Sequence, residues 1–120
     1  MSLGVGGVAY THRMDDSGIR AEQLLTLSSA GRRLADLVAA ALAPLRYEVM
    51  RHLLRVSEET MTETLEEVVA LHLVKRGADA FTYVPFDQAT GEAIREGMDL
   101  ERLMRLRGQI QSATLRVFEA

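Results

Sequence analysis

Residues 57–85, SEETMTETLEEVVALHLVKRGADAFTYVP, switch periodicity part-way along, and that switch decides the fold. Ser57 followed by Glu58 and Glu59 marks a helix start, because the hydroxyl can accept from free backbone N–H groups and both carboxylates sit near the positive end of the helix dipole. Met61, Leu65, Val68 and either Val69 or His72 then recur by threes and fours, while Glu63, Glu66 and Glu67 fall on the opposite side. The spacing predicts a helix that ends around 71–73. Residues 73–76 and 80–84 read as two strands, joined by the Gly-containing loop Gly77-Ala78-Asp79. A helix that feeds a small β-ribbon makes the chain α+β.

Upstream, Ser28 and Ser29 are N-cap candidates for a helix through Leu34, Leu37, Val38, Ala41 and Leu42 that stops before Pro44. Pro44 suits the first turn of a second helix, 45–56, whose positions Leu45, Val49, Leu53 and Val56 lie one turn apart, with Met50 and Leu54 widening the stripe. Downstream, Asp87 is placed to cap a helix over 89–98 and Asp99 to cap a last one. In the last helix Leu100, Leu103, Leu106, Ile110, Ala113 and Val117 step by threes and fours to the end of the chain. Val8, Tyr10 and Thr11 allow a short strand near the start, which Gly4, Gly6 and Gly7 weaken, and Asp15 to Gly18 form a turn cluster. Residues 1–18 are thus expected to be a flexible leader or short strand, and 19–120 one domain.

A length of 120 residues fits one domain, and 48% hydrophobic with 26% charged residues is ordinary for a globular one. A net charge of -3 argues against holding nucleic acid mainly by a basic surface. The lack of cysteine removes disulfides, thiolate nucleophiles and the usual zinc sites, and fits a reducing cytoplasm. The longest apolar run, 34–45, is broken by Asp36 and closed by Pro44, so no membrane span is expected. The first seven residues lack the basic-then-apolar pattern of a signal peptide.

Helix 45–56, helix 58–72, hairpin 73–84 and the helix after it resemble a compact winged-helix unit in order and spacing. The stretch 63–76, ETLEEVVALHLVKR, looks like the third helix and first wing strand of such domains. It is similar in particular to the winged-helix domains that follow the nucleotide-binding core in bacterial signal-transduction ATPases of the STAND type, where a stretch like 81–87, FTYVPFD, leads into a helix. The tail 99–119 then resembles the first helices packed after the winged helix. The likeness covers about half the chain and implies an α+β, mainly α fold with a small hairpin and flanking helices. Two departures stand out. The short helix between the first and third is missing or compressed into 57–62, and no Gly-x4-Gly-Lys-Ser/Thr pattern occurs that would cradle a nucleotide.

A DNA-reading third helix needs Arg, Lys, Asn or Gln at base edges and cations at phosphates. This one carries Glu58, Glu59, Glu63, Glu66 and Glu67, so the possible DNA contacts are Lys75 and Arg76 on the wing, helped by Arg51 and Arg55. The histidines are His12, His52 and His72. Glu48 and His52 share a helix face, but the sequence points to no third ligand, so neither a metal nor a cofactor is expected. Ser28, Ser29 and Ser57 read as caps rather than nucleophiles, and no enzymatic activity is expected. The last helix surrounds its stripe with Arg102, Arg105, Arg107 and Arg116. That stripe either closes the core or makes a homodimer or partner-helix contact through Leu100, Leu103, Leu106, Ile110 and Val117. Helix 29–43, with Ala39, Ala40 and Ala41 allowing close approach, is its natural partner across the interface or within the chain. The functional expectation is a non-enzymatic regulatory or assembly module that binds a protein partner or itself, within a larger signalling ATPase. The alternative is a dimeric winged-helix transcriptional regulator that binds DNA.

Overall fold

Ser28 opens helix α1, Ser29–Ala40: its Oγ accepts from the Gly31 N–H at 3.0 Å, as the N-cap reading requires. A computed structural model describes residues 26–79 and 81–119, so the expectations for 1–18 lie outside the described residues. From Leu34 to Ala40 every residue of α1 is buried, which makes it a central helix rather than an amphipathic surface one. Leu42, expected on its buried face, is instead 82% exposed. The helix stops at Ala40, because Ala41 turns to extended backbone, and Leu42 is carried past the end.

Leu45–Arg46 corrects the sequence reading. These residues form strand β1 instead of a first helical turn, pairing antiparallel with Thr82 and Tyr83, and helix α2 begins only at Tyr47 and runs to Leu54. Local periodicity cannot reveal such a strand, since its hydrogen bonds come from a segment almost forty residues away. Ser57 caps helix α3, Glu58–Ala70, with its Oγ accepting from Thr60 N at 3.1 Å. Met61, Leu65 and Val68 are buried as expected, joined by Thr64, whose hydroxyl donates to the Thr60 carbonyl at 2.7 Å. Neither Val69 nor His72 belongs to that face; both are exposed. Glu67 does not share the solvated side of Glu63 and Glu66: it turns inward, where its carboxylate accepts from the Ser28 hydroxyl at 2.6 Å and the Ser28 N–H at 3.0 Å.

The hairpin is formed by β2, Val74–Arg76, and β3, Thr82–Pro85, with Lys75 opposite Val84. With β1 on the far side of β3 the sheet has three strands in the order β1-β3-β2. Asp87 caps helix α4, Gln88–Glu96, and Asp99 accepts from Arg102 N at 2.7 Å at the start of helix α5, Leu100–Glu119. The fold is α+β and mainly α.

Helices α3, α4 and α5 and strand β3 all pack on α1. The central core joins Leu34 and Val38 of α1 to Val49, Met50 and Leu54 of α2, Met61 and Val68 of α3, and Leu73 and Val74 at the hairpin. A smaller cluster sets Ala35 and Ala39 against Ile94 of α4, so the small residues of α1 serve close packing inside the chain. Arg95 of α4 donates to the Ala39 carbonyl and Arg107 of α5 to the Ala40 carbonyl, each at 2.9 Å. Three residues with side chains hold a left-handed backbone at the joints: Arg55 after α2, His72 after α3 and Phe81 before β3, at φ 56°, 58° and 65°. Met61 is fully buried at the centre of the packing. Met61→Ala should cost about 2–5 kcal/mol, read as a fall in the urea midpoint at unchanged slope.

Candidate interaction surfaces

Helix α5 has three distinct sides. The first packs inward: Leu106 and Ala113 are buried, and Leu103 and Ile110 are half-buried against the core. Of the expected partner-binding residues, Leu106 is therefore used inside the chain, Leu103 and Ile110 largely so, and Val117 is half-buried, while Leu100 remains exposed. The partner of this stripe is supplied by α1 and α2 of the same chain.

The second side carries Leu100, Met104, Leu115 and Phe118, which are between 47% and 71% exposed. Their steps of four, eleven and three residues return to nearly one direction on a 3.6-residue helix. Apart from Leu100, periodicity does not single them out, because the longer inner stripe dominates it. Beside this side lies an apolar groove of about 400 Å³ between the 41–46 segment and α5, where Pro44 and Val49 face Ile110 and Thr114. Arg46 closes one end, its guanidinium 4.6 Å from the centre of the Phe118 ring.

The third side is basic. Arg102, Arg105, Gln109, Ser112 and Arg116 step by threes and fours along α5 and face Arg33 of α1 and His52 of α2 across two adjoining depressions of about 250 and 440 Å³. The depressions share Leu53, Arg105 and Gln109, and among the described residues no carboxylate lines either one. Two of the arginines are held from behind. Arg102 donates to Asp36 at 2.8 Å and Arg33 to the Leu53 carbonyl at 3.2 Å, which leaves other N–H donors of each guanidinium uncommitted. Asp36 is only 3% exposed, and its second oxygen lies 3.6 Å from Arg32 Nε, beyond hydrogen-bond reach. The buried carboxylate is thus satisfied chiefly by Arg102.

The outer side of α3 is the electrostatic opposite: Glu58, Glu59, Glu63 and Glu66 are all exposed. Glu58 approaches Arg51 at 3.9 Å, and Glu59, Glu63 and Glu66 form no ion pair among the described residues. The residues named as possible DNA contacts, Arg51, Arg55, Lys75 and Arg76, are exposed on α2, at its end and on β2. Lys75 lies 5.9 Å over the Phe86 ring, which also sits 4.9 Å from His72. His72 stands just past the end of α3 and is exposed. No group of three or more metal-ligating side chains occurs among the described residues, and no described helix is long and apolar enough to cross a membrane. No family description, curated protein or solved structure matches this chain.

The Asp36–Arg102 contact is asymmetric in consequence. Arg102→Ala strands a buried carboxylate and should cost about 3 kcal/mol, whereas Asp36→Ala frees a half-exposed guanidinium to reach water and should cost less. A double-mutant cycle by urea denaturation, with a coupling above about 1 kcal/mol, checks the pairing.

Proposed function

We propose that residues 29–85 form a winged-helix-type unit and that the chain is a non-enzymatic regulatory or assembly module, which docks a protein partner or its own copy through α5. The observation that carries this reading is the exposed apolar side of α5. Leu100, Met104, Leu115 and Phe118 are four large side chains about half exposed or more on one side of a helix whose other apolar stripe already fills the core, with Arg46 over one face of Phe118. Scattered exposed leucines need no explanation, but an aligned set at both ends of one helix, parted by Gly108 and Gln111, fits a helix-to-helix contact. An antiparallel pairing of two α5 helices buries it on both copies and makes a two-fold homodimer.

The winged-helix part rests on the order helix–strand–helix–helix–strand–strand with a β1-β3-β2 sheet. It takes Ser29–Ala40 as the first helix and Tyr47–Leu54 as the short second one, where the sequence resemblance begins at 45 and lacks a second helix. On that resemblance we extend the reading to a module that follows the nucleotide-binding core of a signalling ATPase and acts in the cytoplasm. Recognition of DNA as a dimeric regulator is the weaker reading, because α3 would bring four exposed carboxylates to the phosphates.

Met104→Asp with Leu115→Asp leaves the inner stripe intact and should convert a dimer into a folded monomer, seen by sedimentation at high salt with circular dichroism as the folding check. Equal sedimentation of wild type and variant sinks the α5 contact. A gel shift of random duplex DNA that weakens steeply with salt sinks the assembly reading in favour of DNA binding.

A further inference from the structure

We propose that the basic groove beside α5 receives the acidic outer side of α3 from a second copy of this chain, so that copies join head to tail. The contact uses neither Leu100, Met104, Leu115 nor Phe118, and so stands apart from the dimer proposed above.

Charge placement is the first support. Arg33, Arg102, Arg105 and Arg116 line a groove with no carboxylate of the described residues in its walls, Glu101 approaching Arg105 at 3.9 Å from outside, in a chain whose net charge is -3. A row of exposed carboxylates sits on a different surface, on Glu58, Glu59, Glu63 and Glu66. No ion pair among the described residues joins these two sets. Each surface is thus complementary to the other, yet only a second copy can bring them together.

Preorganisation is the second. Asp36 and the Leu53 carbonyl orient Arg102 and Arg33 from the protein side, so little side-chain freedom is lost when their remaining donors meet carboxylates. Size is the third. The groove follows α5 from Arg102 to Arg116, a rise of about 21 Å, and α3 with its 13 residues is about 20 Å long. Leu37, Leu53 and Leu106 also give the groove an apolar floor, and Val69, exposed on the same outer side of α3, is the apolar group that would meet it. Gly108, in mid-helix with open space where a Cβ would stand, keeps the wall low between Arg105 and Ser112.

Because groove and acidic side are different surfaces, the contact is heterologous: every copy that uses one still offers the other, and the assembly extends or closes into a ring. Nucleic acid in the same groove is the competing occupant. It is disfavoured because the acidic side of α3 belongs to the same small domain and repels a polyanion.

Sedimentation velocity on the full chain carrying Met104→Asp and Leu115→Asp isolates this contact from the apolar one. Association is expected in about 0.05 M NaCl and should weaken at least about tenfold in about 0.5 M NaCl, where exposed charges are screened. Glu63→Lys with Glu66→Lys, or Arg105→Glu with Arg116→Glu, should each leave monomers at low salt. An equimolar mixture of the two reversed chains should associate again, since each then offers the other an opposite charge. All four positions are exposed, and circular dichroism verifies folding; should a reversed chain unfold, Glu63→Gln and Arg105→Gln carry the same test with a smaller loss. Monomers of the parent at low salt, unchanged association of the reversed chains, or a mixture that stays monomeric overturns the proposal. So does random duplex DNA that binds the parent and is lost with Arg105→Glu and Arg116→Glu while no self-association occurs.

Discussion

The carbonyl end of α1 is the constraint around which the remaining elements are arranged. The helix is buried from Leu34 to Ala40, so the carbonyls of its last turn have no water to accept from, and its own last turn contains no basic residue. Two guanidinium groups from elsewhere take the place of solvent: Arg95 from α4 at the Ala39 carbonyl and Arg107 from α5 at the Ala40 carbonyl. Cations are favoured there by the helix dipole, and charge-assisted donors make the stronger hydrogen bonds. At the other end, Ser28 and Glu67 fasten the first turn to α3. A buried central helix is therefore possible only because three later helices each supply a polar group to one of its ends.

Those same bonds explain what sequence reading reaches and what it does not. Ser28, Ser57, Asp87 and Asp99 are legible as caps because a cap acts three residues away, and the inner stripes of α1, α3 and α5 are legible because periodicity is local. β1 is lost because two residues carry no period and are defined by pairing with β3. Glu67 is misplaced because helical spacing puts it with its acidic neighbours, while its partner, Ser28, is 39 residues away. The acidic side of α3 can be read directly from the sequence. The basic groove cannot, since its walls come from α1, α2 and α5 and only the fold brings Arg33, His52 and Arg105 to one place.

The mild net charge conceals this division. Spread evenly, -3 over 120 residues would say little beyond solubility. Instead exposed carboxylates gather on α3 and arginines gather between α2 and α5, with Asp36 buried between Arg32 and Arg102 as the anchor of the basic side. Removing that anchor would weaken the core and misorient a groove arginine together, so stability and surface recognition share one residue.

The three left-handed joints bear on how the chain reaches its native state. Arg55, His72 and Phe81 adopt a backbone that favours glycine by about 1 kcal/mol or more at each place, and none of the chain's described glycines is used for it. At Arg55 and His72 the helix ends close on themselves: Arg55 N–H donates to the Arg51 carbonyl at 3.0 Å, and the His72 and Leu73 N–H groups donate to the Val69 and Val68 carbonyls, each at 3.0 Å. The turn at Phe81 is tied in two ways, by Thr82 N–H to the Asp79 carbonyl at 3.3 Å within the loop and by Tyr47 N–H to the Phe81 carbonyl at 2.8 Å across the molecule. The ends of α2 and α3 are thus closed by their own backbone, whereas the loop before β3 takes its shape in part from the start of α2 and forms together with the sheet.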